Sequence, residues 1–64
     1  MVYKTITLVG ESTESFEDAT QDAVDRAEET IRNIEWAEVQ DRSVDLQGGE
    51  RAYEATVEIA FELK

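Results

Sequence analysis

Cysteine, histidine and proline are absent from this 64-residue sequence, and six basic residues stand against sixteen acidic ones. Without cysteine there are no disulfides and no thiolate nucleophile, and without histidine there is no imidazole base. The usual zinc ligands are missing for the same reason, so only oxygen donors remain for a metal. The scarcity of lysine and arginine argues against a nucleic-acid partner, because phosphate backbones are held by clustered basic side chains. No apolar run approaches the ~20 residues of a membrane span. The opening "MVYKTITLVG" (1–10) lacks the positive start and continuous apolar stretch of a secretion signal, so a cytoplasmic protein is expected.

There is no linker, internal repeat or low-complexity block, and the chain reads as one domain, 1–64. A domain of this length buries only about 60% of the surface its unfolded chain exposes. A further source of stability is therefore expected. The formal net charge of −10 opposes compaction and association at low ionic strength, whereas at 1 M salt the Debye length shrinks to ~3 Å. That density of acid fits a salt-loving source, or simply a soluble acidic protein.

The first segment, "VYKTITLVG" (2–10), alternates Lys4, Ile6 and Leu8 with Tyr3, Thr5, Thr7 and Val9, and reads as a strand stopped by Gly10. In "SFEDATQDAVDRAEETIRNI" (15–34) the period changes. Phe16, Ala19, Ala23, Ala27, Ile31 and Ile34 recur every three or four residues, the stripe of an amphipathic helix. Ser15 is the expected N-cap, Asp18 holds the capping-box position, and Glu17 and Asp18 suit the positive helix end. Asp22, Asp25, Glu28, Glu29 and Arg32 form the wet face. A second strand follows in "EWAEVQDRSVDL" (35–46), then a turn at "QGGE" (47–50) and a third strand in "RAYEATVEIAFEL" (51–63). In that last strand Tyr53, Ala55, Val57, Ile59, Phe61 and Leu63 share one face, with Glu54, Thr56, Glu58 and Glu62 on the other. The glycines predict an antiparallel hairpin. The fold class is therefore α+β, in the order β-α-β-β, with a three-stranded antiparallel sheet wrapped against one long helix.

Parity within the second strand singles out the lone tryptophan. If Ala37 and Val39 turn toward the helix, Trp36, Glu38 and Gln40 face the other way. Val44 and Leu46 have the wrong parity to join them, which predicts a bulge near residues 40–43. Beyond it Asp45 shares the face of Trp36, while Asp41 is ambiguous. An indole on an otherwise polar sheet face packs at a subunit interface, stacks on a planar ligand, or is incidentally exposed. Glu54 lies on the corresponding face of the third strand, where carboxyl and indole could converge across the hairpin.

Taken together, "VYKTITLVGESTESF" (2–16), "DAVDRAEETI" (22–31), "WAEV" (36–39) and "YEATVEIAFEL" (53–63) resemble the dodecins, and specifically their haloarchaeal branch. The resemblance implies a hollow shell of twelve subunits and flavins bound in pairs at two-fold contacts. Each flavin ring would stack against the tryptophan that Trp36 matches. Asp41 and Asp45 match positions that line the ligand's approach, where they would contact ribityl hydroxyls or serve only as solvated loop acids. Tyr3, Phe16, Tyr53 and Phe61 are assigned to packing. One position departs from the pattern: Glu54 stands where flavin-binding dodecins typically carry glutamine. An amide both donates and accepts at the flavin's polar edge, whereas a carboxylate only accepts.

Repulsion from the acidic surface, together with Glu62 where some bacterial dodecins carry a basic residue, disfavours FMN. Riboflavin or lumichrome is the expected ligand. Acid pairs arise by chance at this composition and carry no catalytic signal, so the expectation is a non-enzymatic protein that stores or sequesters flavin. The alternative is a structural or cation-binding oligomer in which Glu54 weakens flavin binding, with Mg²⁺, Ca²⁺ or Na⁺ held by oxygen ligands.

Overall fold

A computed structural model describes all residues 1–64. Its order is β1 (Tyr3–Ser12), α1 (Phe16–Thr30), β2 (Ile34–Asp45), a tight turn at Gln47–Gly49, and β3 (Ala52–Glu62). The sheet runs β1-β3-β2 with both pairings antiparallel, so the C-terminal strand is central. The β-α-β-β reading is borne out.

Ser15 caps α1 as expected: its backbone is extended, and its Oγ accepts the Asp18 N–H at 3.0 Å. Glu17 and Asp18 occupy the first turn, where carboxylates favour the helix dipole. The helix is shorter than its apolar stripe. It ends at Thr30, and Asn33 takes a left-handed φ of 64°, which asparagine tolerates better than most residues. Ile34 consequently belongs to β2 and not to the helix. The periodic pattern continued because Ile31 and Ile34 pack against the same core after the backbone changes course.

That core is small. Ala19, Ala23 and Ala27 on α1 are buried against Ala55, Val57 and Ile59 on β3, with Ile6, Leu8, Val24, Ile31 and Ile34 packed around them. Alanines on the helix permit a close approach to the sheet. Gly10 marks where it is closest: a Cβ there would lie 1.9 Å from the Ala19 carbonyl oxygen. The expectation that Gly10 stops β1 is corrected on that basis, since the strand runs on to Ser12. The glycine is needed because helix backbone passes directly over it. At the same end of the sheet, Gly48 and Gly49 have φ near +80° and close the β2–β3 hairpin.

Two irregularities set the faces of β2. Ile34 pairs with Phe61 and Trp36 with Ala60, so Glu35 is an extra residue; Val39 pairs with Val57 and Asp41 with Thr56, so Gln40 is another. The second bulge lies at the start of the expected interval. The first, which parity did not reveal, turns Ile34 inward and Trp36 outward from positions two apart. Ala37 and Val39 share the helix-side face through their partners Ile59 and Val57. The helix lies over β1 and β3 and barely reaches β2, however, so Val39 remains 44% exposed.

Candidate functional site

Trp36 faces away from the helix, beside Ala60 and 46% exposed. Its neighbour across the central strand is Tyr3. The two rings meet edge to face, with centroids 4.9 Å apart and planes at 60°. A small residue on β3 makes this contact possible. Ala60 is flanked by Thr5 and Trp36 and lies diagonal to Tyr3, and it is fully buried although it sits on the solvent side of the sheet. The tyrosine assigned to packing does pack, and what it packs is the candidate ligand platform.

Glu54 lies on the same face but at the other end. It pairs with Ser43 on β2 and Glu11 on β1, so the three form one rung across the sheet. Ser43 Oγ donates to Glu54 Oε1 at 3.2 Å. Between Glu54 and Ala60 lie six steps of β3, about 20 Å at the usual strand rise. Within one chain, therefore, indole and carboxyl do not converge across the hairpin. They occupy opposite ends of one sheet face.

Asp41 is placed by the Gln40 bulge. It pairs with Thr56 on the face of Trp36, and its Oδ1 accepts the Arg42 N–H at 2.9 Å. Asp45 shares that face one rung beyond Glu54, and its Oδ1 accepts the Gln47 N–H at 2.9 Å, capping the turn. Both aspartates thus have local backbone partners as well as a place on the site face. On the helix side, the uncovered stretch of β2 leaves an open cleft between Val39–Arg42 and the first turns of α1. There the Arg42 guanidinium lies 5.6 Å from the centre of the Phe16 ring, which itself meets Tyr53 edge to face.

The Glu11 carboxyl is held above the usual carboxylate range. Hydrogen bonding with the Glu54 carboxyl is the main cause, followed by desolvation and by repulsion from Glu54, Asp45 and Asp22. Sequence reasoning did not single out Glu11. Its parity on β1 was readable, but its pairing with Glu54 depends on the β1–β3 register, and nothing local encodes that. No group of three acidic side chains is gathered closely enough to hold a metal ion within one chain. No helix is long and apolar enough to cross a membrane.

A family model described as Dodecin matches residues 2–64. A dodecin from Thermus thermophilus is 39% identical over 64 residues, covering 98% of this chain and 93% of its own. A crystal structure of a variant of that dodecin superposes with a TM-score of 0.89 at 38% identity, covering 98% of this chain and 96% of the other. A calcium dodecin from Mycobacterium tuberculosis is 37% identical over 65 residues, covering 98% and 90%. Its crystal structure, described as that of a calcium-chelating antigen with a novel calcium-binding site, has a TM-score of 0.89 at 31% identity, covering 100% and 93%.

Proposed function

The chain belongs to the dodecin family, and from that membership we propose that it is a cytoplasmic binding protein that stores or sequesters riboflavin or lumichrome. The ring stacks on Trp36 where two subunits meet, in a shell of twelve. Flavin binding is known for the family, and its members are small binding proteins that form homo-oligomers. The observation that carries the reading is the half-exposed Trp36 ring, held edge-on by Tyr3 on an otherwise polar sheet face. A rigid π-surface of this kind suits a planar ligand. Stacked on indole, an excited flavin would be quenched by electron transfer from the ring.

The separation of Trp36 from Glu54 supports a site shared between subunits. A two-fold axis crossing the strands midway between them would bring Glu54 of the partner subunit to the Trp36 end. There a carboxylate can take the flavin N–H but offers no donor to the flanking carbonyls, and an unmatched buried polar atom costs about 1–3 kcal/mol. Asp41 and Asp45 on the same face would meet the ribityl hydroxyls. Glu62, opposite Tyr3, is paired with Lys64 at 3.6 Å, so it is the acidic surface as a whole, at a net charge of −10, that favours riboflavin over FMN.

Riboflavin fluorescence titrations test the reading. The native protein should quench riboflavin, and Trp36→Ala should abolish the quenching. Glu54→Gln should tighten binding at neutral pH roughly tenfold, equivalent to ~1.4 kcal/mol. Binding to the native chain should also tighten as pH falls. Unaltered quenching in Trp36→Ala would refute stacking at that residue. A second reading, a calcium-binding oligomer, draws on the M. tuberculosis relative; calcium binding without any riboflavin quenching would favour it.

A further inference from the structure

Glu11 and Glu54 stand directly opposite each other in the β1–β3 ladder, with Ser43 completing the rung on β2. Directly opposed residues on one sheet face bring their Cβ atoms to ~5 Å, and like charges there destabilise the pair. No lysine or arginine is paired with either carboxyl. Of the other charged groups acting on Glu11, Asp45 comes from β2 and Asp22 from α1, and no lysine or arginine is among them. Asp22 Oδ2 is occupied by the Glu11 backbone N–H at 3.2 Å, which fixes this acid beside the strand.

The rung is asymmetric. Ser43 donates its hydroxyl to Glu54 Oε1 at 3.2 Å, so that carboxyl already has a donor. Glu11 has no such donor to its carboxyl. Between two like acids, the one without a donor takes the first proton and can then donate to the other. We infer that on acidification Glu11 and Glu54 come to share one proton, carried on Glu11, and that this proton sets how readily the Glu54 end of the site is covered by a flavin. The upward displacement of Glu11, caused chiefly by its hydrogen bond with Glu54, agrees with that assignment.

The consequence for binding, which rests on the flavin reading above, has a definite sign. At neutral pH a ligand covering this rung takes water from two adjacent carboxylates. Once Glu11 is protonated it covers a single charge shared by two carboxyls, which costs less to desolvate. Affinity therefore falls as pH rises through the titration of Glu11 and is regained below it. The pH dependence expected for flavin binding runs through Glu11, a positioning residue on a different strand, and does not require Glu54 itself to be protonated.

Two isosteric substitutions test this. In Glu11→Gln an amide N–H donates to Glu54 at every pH, so riboflavin should bind more tightly at neutral pH than to the native chain and lose most of its pH dependence. In flavin-free Glu54→Gln, the carboxyl carbon of Glu11 followed by NMR should titrate at lower pH than in the native protein. A pH–affinity profile unchanged in Glu11→Gln overturns the proposal. So does a Glu11 midpoint that Glu54→Gln leaves in place. If riboflavin binds at no pH while Glu54→Gln still lowers the Glu11 midpoint, the flavin reading fails and the proton-sharing pair stands.

Discussion

Trp36 is oriented before any ligand arrives. Tyr3 meets it edge to face, over an alanine small enough to let the rings approach across the central strand. Such aromatic pairs contribute about 0.5–1.5 kcal/mol beyond their buried area, and a fixed ring would spare the proposed ligand the cost of ordering it. Tyr3→Ala should therefore weaken riboflavin binding roughly two- to tenfold, with far-UV circular dichroism unchanged because Tyr3 opens its strand at the sheet edge. Tyr3→Phe keeps the ring and should bind as the native chain does. If Tyr3→Ala binds equally well, the indole needs no such support.

At the scale of elements, the decisive contact is between α1 and β1. Three alanines on the helix and a glycine on the strand let two backbones pass within side-chain distance. A methyl group at position 10 has no room, because the atoms it meets are the Ala19 carbonyl oxygen and the Ala23 nitrogen, both in the helix backbone. Gly10→Ala should lever the helix from the sheet and destabilise the protein by about 3 kcal/mol or more, at the upper end of overpacking effects. Urea unfolding at one fixed protein concentration measures it, and an unchanged midpoint would show that the helix shifts freely.

The whole molecule is too open to be complete as one chain. Only eight of its 64 residues are buried, and the chain is drawn out to 45 × 19 × 15 Å. Beyond Ile34, every residue of β2 is exposed. A strand bare on both faces, carrying Trp36 on one and Val39 on the other, needs neighbours on both. Stability should accordingly depend on association, and the net charge of −10 should make association depend on salt. The melting temperature is expected to rise with protein concentration, and to rise further between 0.1 and 1 M salt as the ~10 Å Debye length contracts to ~3 Å. A melting temperature indifferent to both would mean that the single chain is self-sufficient.

Local periodicity was enough to determine the elements. Alternation in 51–63, the three- and four-residue spacing of the alanines and the glycines at the hairpin are properties of neighbouring residues, and they yielded β-α-β-β. The outward turn of Trp36 was likewise legible from its strand. Where signals were local but ambiguous, the boundaries moved: Gly10 looked like a stop and proved to be a clearance, and Ile34 looked helical because both arrangements send it to the same core. The tertiary structure alone decided which residues meet across strands. Register set Glu11 opposite Glu54 and Tyr3 against Trp36, and it carried Trp36 and Glu54 to opposite ends of one face. Register is a property of pairing between distant segments, fixed by the two bulges in β2 and by the core beneath the helix, so no single stretch of sequence contains it.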